Sequence, residues 1–255
     1  ITGSGANLTN LPAANLTGTL PAISGANLTN LPVLPSDINN LINNVAMLGF
    51  KVAVNGSLAK YNLVDQVVDE YNDATVSFRK FLKKFPDHKY VAHAQYRIAT
   101  MADKNFDDWS TAVKEYEVLA DKYPDFKYTI PSLLRMGDIQ ESKLKERKEA
   151  IKTYQRVYST YPDSSESAIE ALLRSGNLYE KSKQYEEAID QYMTVNTKYP
   201  NSPGSLKSLN KSADIYEKKM KDKDKAIEVL NMITANYSES RDAKKAQRRI
   251  KKLSK

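Results

Sequence analysis

Phe85-Pro86-Asp87, Tyr123-Pro124-Asp125, Tyr161-Pro162-Asp163, Tyr199-Pro200-Asn201 and the degenerate Tyr237-Ser238-Glu239 are five versions of one tripeptide set 38 residues apart. A fixed period of this length marks a helical solenoid, in which each unit buries its apolar face against the next. Working outward from each proline, the same residue types recur. Twelve positions before it stand Ala74, Ala112, Ala150, Ala188 and Ala226, and eight before it Phe78, Tyr116, Tyr154, Tyr192 and Leu230. Small and large residues at helical spacing let two helices approach and interlock. The proline then ends the second helix of each pair, because it can neither donate a backbone hydrogen bond nor tolerate a helical residue before it. Downstream, Arg97-Ile98-Ala99, Arg135-Met136-Gly137, Arg174-Ser175-Gly176 and Lys211-Ser212-Ala213 mark the next first helix, their small residues again suited to a close crossing.

Residues 1–36 are of another kind. They carry no charge and repeat a phrase: Gly5-Ala6-Asn7-Leu8-Thr9-Asn10-Leu11-Pro12, Ala14-Asn15-Leu16-Thr17-Gly18-Thr19-Leu20-Pro21, then Gly25 to Pro32 identical to the first. Frequent Pro and Gly exclude a helix. The segment reads either as a low-complexity linker or as one strand of several wound together with Leu inward. Over residues 37–71, Ser36 or Asp37 can cap a helix carrying Ile38, Leu41, Ile42, Val45 and Leu48 on one face. Asn55-Gly56 is a hairpin turn signal after Val52-Ala53-Val54. From Asn62 to Phe85 there is no Gly or Pro, and Val64, Val67, Tyr71, Ala74, Phe78, Phe81 and Phe85 fall at a and d spacing. A helix is expected to run from this stem into the solenoid. Its aromatic residues are wanted by both a coiled coil and the solenoid core, and the pattern alone does not choose.

Composition narrows the function classes. Cysteine is absent from the 255 residues, which excludes disulfides and thiolate metal sites from this stretch. No apolar run is long enough to span a bilayer. The chain begins at Ile1 without a signal peptide and is expected to be a fragment or processed form. The net charge of +7 is a tail property: residues 1–71 hold two lysines against four acids, whereas residues 241–255 hold eight Lys or Arg against one Asp. Catalysis has little to stand on. The two histidines, His88 and His93, lack the spacing of a metal pair on one helix face. No phosphate loop and no nucleophile signature is present. Neither an enzymatic activity nor a cofactor is expected.

The repeat residues from 72 to 255 resemble the tetratricopeptide pattern. The variant with Tyr-Pro-Asp/Asn-Ser, with Tyr185-Glu186-Glu187-Ala188-Ile189 and the ending Ala243-Lys244-Lys245-Ala246-Gln247-Arg248-Arg249-Ile250-Lys251-Lys252-Leu253, is similar to bacterial envelope proteins. Examples are the periplasmic coordinator of the Tol–Pal system and the lipoprotein partner of the outer-membrane barrel assembly machinery. The likeness implies an all-α, right-handed solenoid of about four and a half helix pairs, a protein-binding scaffold in the periplasm or envelope, and a concave groove. In such proteins the residues one and four places beyond the small residue of the first helix line that groove. Here these are Thr100 and Asp103, Asp138 and Glu141, Asn177 and Glu180, Asp214 and Glu217. A ladder of carboxylates favours a basic peptide. The same residues also read as a solvated face, with Glu141–Lys145 and Glu217–Lys221 as i, i+4 pairs.

Residues 1–71 resemble the stems of phage tail fibres and trimeric fibre adhesins. That likeness implies a small β and coiled-coil stem, a homotrimer through residues 1–71, an extracellular setting, and a recognition tip at its C-terminal end. The first solenoid unit has only its second helix, from about Asn72, so the junction near Tyr71 to Thr75 reads as a fusion seam, natural or engineered. The alternative function is therefore a fibre displaying the solenoid, or a chimera. At the other end, residues 240–255 form a capping helix with Ala243, Ala246, Ile250 and Leu253 on one face. Lys244, Lys245, Arg248, Lys251, Lys252 and Lys255 lie largely opposite, suited to contact an anionic surface. Nucleic acid is not expected, because the tyrosines fall at repeat core positions.

Overall fold

The computed structural model describes residues 64–255. The expected fibre-like repeats, the helix expected after Ser36 or Asp37, the Asn55-Gly56 turn and the expected trimeric stem as far as residue 63 lie outside these residues. Among the described residues the elements are all helical. They are α1 (Val64–Lys84), α2 (Val91–Lys104), α3 (Trp109–Lys122), α4 (Thr129–Ser142), α5 (Arg147–Thr160) and α6 (Ser165–Lys181), followed by α7 (Tyr185–Lys198), α8 (Pro203–Asp214), α9 (Lys223–Asn236) and α10 (Arg241–Leu253). A π-helical stretch, Ile215–Met220, prolongs α8. Each helix packs on the next, and α6 also touches α8. The result is an all-α solenoid: α2, α4, α6 and α8 are first helices, and α1, α3, α5, α7 and α9 second helices. No helix among the described residues is long and apolar enough to cross a membrane.

The periodic tripeptide explains the boundaries. Tyr123, Tyr161, Tyr199 and Tyr237 are the C-caps of α3, α5, α7 and α9, with proline following in the first three. The tyrosine also ties repeats together. The Tyr161 hydroxyl donates to the Pro124 carbonyl at 3.0 Å, and the Tyr199 hydroxyl to the Pro162 carbonyl at 2.7 Å. The opposite turns repeat as faithfully. Asp107, Lys145, Lys183 and Lys221 all sit in the left-handed region, at φ of 51° to 62°, although none is glycine.

Against this fixed frame the small residues drift, Gly176 lying 39 residues after Gly137 but Ala213 only 37 after Gly176. The turn after α6 is the cause. Asp108, Glu146 and Asp222 each donate their N–H to the carbonyl six residues back, whereas Gln184 donates to Tyr179, five back. The third unit closes one residue sooner, and the frame is restored at Lys183.

Packing settles the competition over α1. Tyr71, Ala74, Phe78 and Phe81 are buried in one cluster with Val91, Ala94, Ile98 and Met101 of α2, so the solenoid core takes these rings. The helix begins at Val64, ahead of Asn72. Along the chain the paired core positions are Ala112 and Tyr116, Ala150 and Tyr154, Ala188 and Tyr192, and Ala226 and Leu230, all buried.

The close crossing sought at the small residues is real. A Cβ on Gly137 would stand 2.5 Å from the Tyr154 ring, and one on Gly176 would stand 2.6 Å from the Tyr192 ring. Each glycine is the absence of a methyl where a fully buried ring passes. Gly137→Ala is expected to destabilise the protein by about 1–3 kcal/mol through overpacking, seen as a lower urea midpoint. An unchanged midpoint would show that the Tyr154 ring moves aside freely.

Candidate functional site

The candidate groove lies on the first helices, α2, α4, α6 and α8, where the two positions beyond each small residue fall on successive turns. Thr100 is buried and donates its hydroxyl to the Arg97 carbonyl of its own helix at 3.0 Å. The Asp103 side chain is 0% exposed. It accepts from Arg135 Nε and Nη2 at 2.8 and 2.6 Å and from the Tyr116 hydroxyl at 3.2 Å. Asp138 accepts from the Tyr154 hydroxyl at 2.8 Å and pairs with Arg174. Arg174 is held from behind by Glu170, 2.6 Å away on the preceding turn. Glu141 pairs with Lys181 at 2.6 Å. Asn177 accepts from the Tyr192 hydroxyl at 2.9 Å, and Glu180 accepts from Lys211 at 3.1 Å and from the same hydroxyl at 3.4 Å. Asp214 and Glu217 both engage Arg249 of α10, at 2.8 and 2.5 Å.

One rule covers these contacts. An acid on the first helix of one unit accepts from a base on the first helix of the next, and α10 supplies the last base. Arg135, Arg174 and Lys211, which stand two residues before each small residue, are three of those bases, and Lys181, on α6 beyond Gly176, is the fourth. The signal for the first three was in the repeated Arg-Xaa-small tripeptides; what the linear pattern lacks is any indication that they reach back to the preceding unit. The carboxylates thus come together as a ladder, alternating with cations. Glu141, Glu180 and Glu217 are part-exposed, while Thr100 and Asp103 lie beneath the surface.

The i, i+4 pairs Glu141–Lys145 and Glu217–Lys221 do not form. Lys145 and Lys221 occupy left-handed turns, at φ of 62° and 61°, so the helical geometry an i, i+4 pair requires has ended before them. Lys145 donates to the Ser142 carbonyl at 2.6 Å instead, and Glu217 turns to Arg249.

The tyrosines of the second helices feel the ladder. Burial and, secondarily, the Asp103 charge push the Tyr116 hydroxyl well above its ordinary range. Burial and the bond to Asp138 do the same for Tyr154, and burial and the Glu180 charge for Tyr192. These hydroxyls are fixed donors, not acids. His93 is shifted down, first by burial and then by Lys127. No group of three or more His, Cys, Asp or Glu that could hold a metal ion occurs among the described residues.

At the far end, Ala243 and Ala246 of α10 are buried against the preceding unit. Lys244, Arg248, Lys251 and Lys255 form an exposed stripe at i, i+4, i+7 and i+11. Lys245 reaches Asp242 at 3.4 Å.

The ladder makes a graded prediction. Asp103→Ala removes a buried acceptor from both Arg135 and Tyr116 and is expected to cost about 2–3 kcal/mol, a range kept low because Arg135 is itself part-exposed. Glu141→Ala removes an exposed pair and is expected to cost less than about 1 kcal/mol. Denaturant titrations of the two variants measure the contrast; equal costs would show that depth does not grade the ladder.

A family profile for the tetratricopeptide repeat matches residues 93–125, 132–164, 170–202 and 209–240, which together make up just over half of the chain. Curated protein sequences give no match. Solved structures similar to the chain include the Podosopora anserina putative kinesin light chain nearly identical TPR-like repeats, 17% identical with a TM-score of 0.48, over 82% of this chain and 97% of that one. YrrB, described as a TPR protein with an unusual peptide-binding site, is 19% identical with a TM-score of 0.42, over 73% and 88%. BtubC from P. vanneervenii is 13% identical with a TM-score of 0.43, over 84% and 91%.

Proposed function

The chain belongs to the tetratricopeptide repeat family, and on that premise we propose that it is a non-enzymatic scaffold of the cell-envelope kind that holds a peptide or partner protein along α2, α4, α6 and α8. Tetratricopeptide repeats generally mediate protein–protein interaction. The observation that carries this reading is the ladder itself: part-exposed polar groups fixed in position by bonds between units. Groups already ordered lose little conformational freedom on binding.

The ladder also shapes the partner. A lysine-bearing peptide can take up the outward lone pairs of Glu141, Glu180, Asp214 and Glu217. In doing so it competes with Lys181, Lys211 and Arg249, so charge contributes more to orientation and encounter than to affinity. Asp103 acts from below, holding Arg135 in place, while the Thr100 hydroxyl donates to the Arg97 carbonyl of its own helix. Repeating Gly5–Pro12 at Gly25–Pro32 supports a second reading, a homotrimer through residues 1–71 that displays the solenoid in the manner of a fibre. The exposed α10 stripe supports an accessory contact with an anionic surface.

A labelled peptide alternating lysine with glycine and alanine, titrated against the full chain, is expected to bind. Charge reversal in Glu141→Lys with Glu180→Lys should weaken it at least about tenfold while the melting temperature moves by no more than about 2–4 °C. Undiminished binding to the double variant would overturn the basic-peptide reading. For the accessory readings, a solution mass of three times the 28.7 kDa chain and salt-sensitive co-sedimentation with phosphatidylserine vesicles are the expected results. A monomer, or no co-sedimentation, would remove them.

A further inference from the structure

The turns leading into the first helices share a frame but not a chemistry. One slot, recurring every 38 residues, holds His88, Phe126, Ser164, Ser202 and Ser240. Where it holds serine, the helix starts at the next residue, as in α6, α8 and α10. Ser202 and Ser240 cap their helices by accepting from the N–H groups of Ser205 and Ala243 at 3.0 and 2.9 Å, whereas Ser164 makes no side-chain cap bond. Where the slot holds His88 or Phe126, the helix starts two residues later, behind Tyr90 or Tyr128, and neither tyrosine makes a side-chain cap bond. Serine therefore serves the same frame, although His88 also has a local role, accepting from the Tyr90 N–H at 3.3 Å and meeting the buried Phe81 ring at 5.5 Å. The first two turns lack the serine that caps α8 and α10, and departures from local consistency concentrate at functional sites.

What the two turns gain is a continuous run of rings. His88 meets Tyr90 at 5.5 Å, Tyr90 meets His93 at 5.7 Å, and His93 meets Phe126 at 4.7 Å. Phe126 meets Tyr128 at 5.4 Å, and Tyr128 stacks on Tyr96 at 4.7 Å. All are half-buried except His93, which is exposed. Phe126 and Tyr128 belong to none of the buried clusters among the described residues. Lysine ammoniums lie over the outer rings: Lys89 is 5.2 Å from the Tyr90 centroid and Lys127 is 4.7 Å from that of Tyr128. Lys83, Lys84 and Lys122 close the preceding helices. The acids of the two turns are Asp87 and Asp125, so the patch is net cationic. Burial and Lys127 lower the pKa of His93, so its positive charge at neutral pH rests with the lysines.

We propose that this ledge of rings and lysines, at the turns before α2 and α4, docks an acidic peptide segment of a partner protein. Proline or aromatic residues of the segment lie on the rings, and its carboxylates meet Lys89 and Lys127. Flat aromatic surfaces receive proline-rich and aromatic segments without needing a deep pocket. An ammonium already resting on a ring is placed to pair with a carboxylate arriving there. Single-stranded nucleic acid fits less well, because successive bases need ring faces in a row. Here the Tyr90–His93, His93–Phe126 and Phe126–Tyr128 contacts are edge-on. The ledge is independent of the first-helix ladder and selects the opposite charge, so the two readings fail separately.

The test is fluorescence anisotropy on the full chain with a labelled peptide of Asp-Pro-Phe-Glu units, beside the same peptide with lysine at every acid. The acidic peptide is expected to bind and its lysine counterpart not to bind at this site. Lys127→Glu touches no core residue, and Phe126→Ser installs the residue of the later turns. Each should weaken binding by at least about fivefold, with the circular dichroism spectrum unchanged. No binding, or equal binding by both variants, would overturn the proposal. Binding lost only on replacing Lys244, Arg248 and Lys251 would place the peptide on α10 and overturn it too. Oligothymidylate binding abolished by the same two variants, without peptide binding, would replace the peptide with a nucleic acid.

Discussion

The passage of a tyrosine ring across a glycine is the contact on which the rest of the solenoid turns. Tyr154 on α5 crosses α4 at Gly137, and Tyr192 on α7 crosses α6 at Gly176, each so close that a methyl group would collide. Burying such a ring contributes on the order of 2 kcal/mol. Its consequence for the hydroxyl matters as much. The ring's depth delivers the hydroxyl to Asp138 in one unit and to Asn177 and Glu180 in the next. Asp138 in turn receives Arg174 from the following first helix, and Glu180 receives Lys211. A steric fit inside one unit thereby fixes an electrostatic bond between units. In the fourth unit Leu230 replaces the tyrosine, and Asp214 and Glu217 are fixed instead by Arg249 of the last helix.

This arrangement divides the surface into regions of different chemistry. On the first helices, charge is largely committed internally, because every acid of the ladder has a cation from the adjacent unit or from the same helix. Such a face presents ordered donors and acceptors of both signs, which favours register and orientation over raw attraction. At the turns before α2 and α4, rings touch one another, Tyr90, Tyr96 and His88 also resting on the core and Phe126 and Tyr128 lying outside it, and lysines stand over them. At α10, cations are arrayed outward with no counter-ladder, while the opposite face covers the end of the stack as a solenoid terminus requires.

Several readings of the linear pattern meet physical limits that can be named. The buried alanines and tyrosines were legible because their spacing is a property of single helices. The groove residues were legible as positions, since they follow the small residue by a fixed offset. Their partners were not. Arg135 lies 32 residues from Asp103 and Lys211 lies 31 from Glu180, and no helical periodicity connects residues so far apart. The i, i+4 pairs failed for a related reason: Lys145 and Lys221 look helical by spacing, but the chain has already turned left-handed there. The aromatic ledge was hidden because His88, Tyr90, Phe126 and Tyr128 are scattered through two turns that meet only when neighbouring units stack.

The sequence by itself determined the repeat, its 38-residue frame, the all-helical class and the residues of the core, because each rests on local geometry: a proline ends a helix, and small and large residues interlock at fixed offsets. Only the tertiary structure decided that the aromatic residues of α1 serve the solenoid, that acids and bases bond across units, and that rings from two turns form one surface. Those outcomes depend on which units become neighbours and on how deeply each side chain is buried, and stacking alone sets both.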